Sequence, residues 1–314
     1  MEESILTSVL LPLSLFVIML GLGLSLVVDD FKRVLVQPRA AAVGLTNQII
    51  LLPLIAFGLV MAFGLDPMMA VGLMLIAACP GGATSNLITF VSRGDTALSI
   101  TLTAISGTIT IFTIPMILIF SIGYFEPSAG IEAEAIEAPV GDIIAQLVAI
   151  TAVPVTIGML IRRFKPDFAD KMDKPARIGS AAIFIFVLAV VILGNTDVIR
   201  EHFLALSGVT LALNVATMTV GFATARLLSL DMRQAITVSI ESGIQNGTLA
   251  IVVATSIVNV GALAVPGGIY SLLMFVTGGL VMFYFGIITA PAELADDLDK
   301  DKSDEEGEKQ TSRD

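Results

Sequence analysis

A chain of 314 residues in which 55% are hydrophobic and only 14% charged has more apolar surface than a soluble core of that size needs. Its net charge of −11 is no guide to partners: Glu293 to Asp314 hold ten acids and four bases, net −6, and the remaining eighteen acids and thirteen bases give −5. One cysteine, Cys79, excludes an intramolecular disulfide, and no nucleic-acid partner is expected.

Apolar runs of roughly 20 residues, the length that crosses a bilayer as a helix, recur from end to end. The expected fold class is an all-α polytopic membrane protein with nine transmembrane helices, its lipid bilayer a partner in its own right. The acidic start, MEESILTSVLLPLSLFVIML, has no small-residue cleavage site and reads as a first spanning helix. In chain order the segments are Ile5–Val28, Ala40–Gly64, Pro67–Val91, Ala97–Gly123, Val140–Ile161, Ile178–Leu193, Phe203–Leu228, Ala235–Val260 and Pro266–Ala290. The sixth is short for a span. Residues 1–292 are expected to form one transmembrane domain, and 293–314 read as a disordered acidic cytoplasmic tail.

Basic residues orient the chain. Alternate connections hold Lys32, Arg33 and Arg39; Arg93; Arg162, Arg163, Lys165, Lys171, Lys174 and Arg177; and Arg226 and Arg233. The opposite set holds only Arg200. This bias places the N-terminus outside and the C-terminus in the cytoplasm, in a cell inner (plasma) membrane. The acids Glu126, Glu132, Glu134 and Glu137 would then face out.

Two segments are interrupted at mid-span by small or polar residues: the third by CPGGATSN (79–86) and the eighth by ESGIQNGT (241–248). They lie five segments apart and so cross in opposite directions, as in an inverted repeat whose first half lacks a leading helix. Matched Gly/Pro interruptions are the best sequence pointer to a transporter's midplane site, because unwound backbone at that depth persists only in protein or around a cavity.

The interruptions are rich in oxygen. Thr84, Ser85 and Asn86 follow the first, and Glu241, Ser242, Gln245 and Asn246 make up the second. Ser99 and Thr103 share a helix face at i, i+4 spacing, and Gln48 sits inside the apolar run GLTNQIILLP. Glu241 has no Lys or Arg within an apolar run to pair with, and a carboxylate at the bilayer centre is costly enough to mark a site. The sequence holds no His, Cys and carboxylate cluster suited to zinc or iron. Neutral oxygens around one carboxylate suit Na⁺ better than Ca²⁺. Cys79 reads as a small buried hydrophobe and His202 as a solvated histidine.

CPGGATSN, then RGDTALS and Thr103, ESGIQN in the second half, and Gln48 five residues before Pro53 resemble the bile acid:sodium symporter family in its bacterial members. The likeness covers the chain up to the tail, minus the first of that family's ten helices. It implies discontinuous helices that cross, a core domain (40–123 and 203–290) and a panel domain (5–28 and 140–193). It also implies two co-transported Na⁺ ions. Ser85, Asn86, Ser99, Thr103 and Glu241 would ligate the first. Gln48, Glu241, Gln245 and the main-chain carbonyls of Ser242 and Ile244 would ligate the second. An organic anion would meet backbone N–H groups around Ala83, Thr84 and Asn246. The ninth segment carries Met274 and Phe275 where many bacterial members have a His-Asn pair.

The resemblance thus implies a symporter, not an enzyme, importing bile acid, pantoate, pyruvate or a similar carboxylate. A monomer is the favoured state, which the resemblance does not itself imply. The alternative is a sodium-independent efflux carrier of the arsenite or auxin type, for which Cys79 would supply a thiol. An intramembrane enzyme is disfavoured, because one embedded acid without a second acid or base is a poor catalytic set.

Overall fold

The computed structural model describes residues 9–125 and 140–288, and among them every regular element is a helix. In order they are α1 (Leu11–Ser25), α2 (Val28–Lys32), α3 (Pro38–Phe63), α4 (Pro67–Ala78), α5 (Ala83–Val91) and α6 (Thr96–Phe125). There follow α7 (Val140–Phe164), α8 (Pro166–Gly194), α9 (Thr196–Leu227), α10 (Met232–Gly243), α11 (Gly247–Ile257) and α12 (Ala264–Val281), the last continued by a π-helical turn, Met282–Ile288. Helix ends obey local chemistry. Asp66 caps α4 by accepting from the Met68 N–H, Asp231 caps α10 in a reciprocal pair with Gln234, and Gly64 ends α3 at a left-handed φ of 60°.

Six of these helices are long and apolar enough to cross a membrane, or seven if α1 and its bent continuation count as one. The shortfall from nine expected spans has a simple cause. Both interrupted segments are pairs of short helices, α4 with α5 and α10 with α11, and neither member reaches the length of a bilayer crossing.

Other boundaries also differ from expectation. The first segment does not run unbroken to Val28. Helix α1 stops at Ser25, and the chain turns by 79° before continuing. Asp30 fixes the restart by accepting the Val27 N–H at 2.8 Å, while Arg162 Nη1 donates to the Leu24 carbonyl at 2.9 Å. The sixth segment is not short: α8 begins at Pro166, so Lys171, Lys174 and Arg177 lie in a helix and not in a connection. Likewise α9 begins at Thr196 and takes in Arg200 and His202, whose Nε2 lies 4.0 Å from Glu201. The acids of the fourth connection and the acidic tail fall outside the described residues.

Packing separates the helices into two groups. Helix α1 lies against α7 and α8, with glycines at the crossing: a Cβ on Gly23 would fall 2.3 Å from the Val155 carbonyl, and one on Gly158 would fall 2.5 Å from that of Leu20. Such close backbone approach is how helices associate where lipid removes the hydrophobic drive. The second group joins α4 to α6 and α12, and α9 to α3, α10 and α12. Every residue from 69 to 82 and from 235 to 255 is buried. The two interrupted segments therefore occupy the interior of the bundle, with the other helices around them.

Candidate functional site

Helix α4 cannot continue past Ala78, because Cys79 turns to extended backbone and Pro80 has no N–H. The chain resumes as α5 only after Gly82. Helix α10 ends at Gly243, Ile244 is extended, and Asn246 caps α11 by accepting the Leu249 N–H at 3.0 Å. The two breaks lie on one another. Gly81 and Gln245 form an antiparallel β-bridge, the Gly82 N–H donates to the Ile244 carbonyl at 3.0 Å, and the Asn246 N–H donates to the Pro80 carbonyl at 2.9 Å. Backbone groups freed by one break are thus satisfied by the other, which is what lets unwound chain persist in the interior of a membrane bundle.

Glu241 sits one turn before the second break, 1% exposed. Its Oε1 accepts from Ser85 Oγ and Ser99 Oγ, each at 2.5 Å, and Thr103 Oγ1 lies 3.3 Å from Oε1 and 3.0 Å from Oε2. These hydroxyls come from α5 and from one face of α6, so three helices meet on one carboxylate. None of the ion pairs among the described residues includes it.

A hydroxyl has one proton to give. Ser85 Oγ also faces the Gly82 carbonyl at 2.7 Å, and Ser99 Oγ faces Asn86 Oδ1 at 2.8 Å. Acceptors therefore outnumber the protons available to them.

The glutamines add to that excess. Gln48 Nε2 donates to the Glu241 main-chain carbonyl at 3.1 Å and Gln245 Nε2 to the Ser242 carbonyl at 2.9 Å, while both Oε1 atoms are buried without a hydrogen-bond partner. Gln48 reaches inward from a π-helical turn, Asn47–Leu51, immediately ahead of Pro53; the wider turn offsets the amide that proline lacks. Surplus oxygen around a single negative charge is the donor set of a hard monovalent cation. Among the described residues no three or more His, Cys, Asp or Glu side chains are grouped so as to hold a metal ion.

The cation-site candidates thus converge: Ser85, Ser99 and Thr103 on the carboxylate, Asn86 through Ser99, and Gln48 and Gln245 beside the break. The Ser242 and Ile244 carbonyls each accept one bond and keep a second lone pair. The candidates for an anion converge less well. The Asn246 N–H, expected to be open to a substrate, is taken by Pro80. Ala83 is exposed and Thr84 half-buried on the first turn of α5, where helix N–H groups lack intrahelical partners.

A partly open crevice lies beside the crossing. On one wall are Pro80, Gly81, Thr103 and Asn246; on the other are Met19 of α1 and Thr151 of α7. Neither Ala83 nor Thr84 lines it. Cys79 faces elsewhere: it is 1% exposed, and its Sγ donates to the Leu75 carbonyl of its own helix.

Sequence reasoning missed three participants. Gly81 is one, since a Cβ there would stand 2.5 Å from Glu241 Oε2 and 2.8 Å from Gln48 Nε2. Asn214 and Tyr270 are the others, fully buried behind the second break. An asparagine inside LALNVATMTVG was the available signal for Asn214. Nothing in the local sequence marks Tyr270.

The profile of the Sodium Bile acid symporter family matches residues 12–202. An uncharacterized sodium-dependent transporter, YocS, of Bacillus subtilis (strain 168) is 28% identical over 86% of this chain and 80% of its own length. The probable sodium/metabolite cotransporter BASS1, chloroplastic, of Arabidopsis thaliana is 27% identical over 85% of this chain and 64% of its own length. The ileal sodium/bile acid cotransporter of Homo sapiens is 29% identical over 78% of this chain and 69% of its own length. The chain thus spans most of the Bacillus relative but under two thirds of the Arabidopsis one.

Proposed function

The chain belongs to the sodium bile acid symporter family, a family of sodium-dependent transporters in the membrane, and from that premise we propose that it imports a small organic anion together with Na⁺ by alternating access. One observation carries the reading: Glu241 is buried without a basic partner, amid hydroxyl and amide oxygens that outnumber the protons they share. Ser85, Asn86, Ser99, Thr103 and Glu241 hold a first ion. Gln48, Glu241, Gln245 and the Ser242 and Ile244 carbonyls hold a second. Two cations on one carboxylate leave a net positive centre, and that charge recruits the anion.

The anion occupies the crevice, which lies beside the crossing between α1, α6 and α7. Apolar side chains dominate its lining, with Thr103, Thr108, Thr151 and Asn246 as polar points, which suits a carboxylate on a hydrocarbon body. Bile acids, pantoate and pyruvate are the carboxylates to test first. Ala83 and Thr84 meet the carboxylate only in another conformation, reached as the two helix groups move.

Counting α1 with its bent continuation, and each interrupted pair as one crossing, gives nine spans. The panel comprises residues 5–28 and 140–193 and the core 40–123 and 203–290; the crevice between them opens to alternate sides. The chain sits as a monomer in the plasma membrane, N-terminus outside and the 293–314 tail in the cytoplasm.

The test is thermal denaturation of the purified protein with candidate carboxylates, each in sodium and in potassium. A carboxylate that stabilises only with sodium supports the reading. Equal melting in both salts with every carboxylate, together with uptake insensitive to sodium, overturns it.

A further inference from the structure

Three successive carbonyls at the end of α10 face three different partners. That of Ser242 accepts from Gln245 in the break, and that of Ile244 accepts from Gly82 in the opposite break. The Gly243 carbonyl between them faces the back of the site. It accepts from Asn214 Nδ2 of α9 at 2.7 Å and from Tyr270 Oη of α12 at 2.8 Å.

Both side chains are 0% exposed, and they touch each other, Nδ2 to Oη, at 3.3 Å. Asn214 Oδ1 is buried with no partner, so the orientation of this amide is set by what its nitrogen reaches. Gly243 is also pressed onto α9: a Cβ there would fall 2.2 Å from Met218 Cγ. Two donors from two helices fill both lone pairs of one carbonyl.

A carbonyl shares its peptide plane with the next N–H. Holding the Gly243 oxygen therefore fixes the plane between Gly243 and Ile244, and so narrows the directions open to the carbonyls on either side, each one φ/ψ pair away. We infer that Asn214 and Tyr270 are positioning residues for the sodium site, which clamp the Gly243 carbonyl from behind so that the Ser242 and Ile244 carbonyls face the ion. This rests on the sodium reading above. It assigns work to two residues that contact neither ion nor substrate.

The experiment uses the purified full chain. The sodium concentration at half-maximal thermal stabilisation is measured at constant ionic strength with potassium, beside the melting temperature in potassium alone. Tyr270→Phe removes one O–H and keeps the ring that fills the core; Asn214→Leu removes the other donor at similar size. Each variant is expected to raise the half-maximal sodium concentration about fivefold, the effect of one lost hydrogen bond, and the pair together by more. A purely structural role would lower the melting temperature in potassium and leave the sodium midpoint unchanged. That result in Tyr270→Phe overturns the inference even if Asn214→Leu does not fold. If the unaltered protein shows no difference between sodium and potassium, the sodium reading itself fails and this inference with it.

Discussion

At Glu241 a carboxylate is taken out of water and met by three hydroxyls and no base. A lone acid at mid-membrane costs about 3 kcal/mol on insertion scales, so an ion that neutralises it binds with that cost already part of the protein. Glu241→Gln keeps the shape and removes the charge. It is expected to abolish sodium-dependent uptake at normal expression; wild-type uptake by the variant would remove the central residue of the proposal. Ser99→Ala combined with Thr103→Ala should raise the half-saturating sodium concentration about tenfold, equivalent to roughly 1.4 kcal/mol, in an uptake titration. Gly81→Ala should disable the same site, since its methyl would collide with Glu241 and Gln48, whereas Gly58→Ala, with nothing within 4 Å of its Cβ, should behave as wild type. The hydroxyls were legible from their i, i+4 spacing and their register with the breaks. Gly81 was not, because its requirement comes from side chains on two other helices.

Among elements, the interruptions were readable because proline and paired glycines announce them, while the bend after α1 was hidden. Leu26 and Val27 are as apolar as the helix before them; the turn is made by contacts from afar, Arg162 on the Leu24 carbonyl and Asp30 on the Val27 N–H. Charge misled in the same way at α8, where Lys171, Lys174 and Arg177, which looked like a loop, belong to the helix that starts at Pro166. The crossing of α1 with α7 depends on glycine at both contact points. Gly158→Val is expected to push the two helices apart and lower the melting temperature by several degrees, against little change for Gly179→Ala on α8, whose Cβ would meet nothing within 4 Å. Equal melting of the two variants would show that this contact does not hold the group together.

For the whole molecule, hydropathy and basic-residue bias gave membrane crossing and orientation as expectations, but the division into two helix groups emerges only from packing. The crevice lies where the two helix groups meet, with residues of both along its walls. If two sodium ions accompany one monovalent anion, each cycle moves one net positive charge. An inside-negative potential of about 100 mV should then favour accumulation by about 2.3 kcal/mol per cycle, roughly fiftyfold, which valinomycin-clamped vesicles would register. The joint between the breaks has a different consequence. It is made of peptide groups, Gly82 to Ile244 and Asn246 to Pro80, so ordinary side-chain replacement leaves its bonds in place. Neighbouring residues other than Gly81 and Gly82, where a Cβ would press on Glu241 or on the Gln245 carbonyl, are free to drift without unfastening the crossing. Only an imino acid at residue 82 or 246 would delete a donor outright, making those two positions the places where proline, and little else, unpicks the knot.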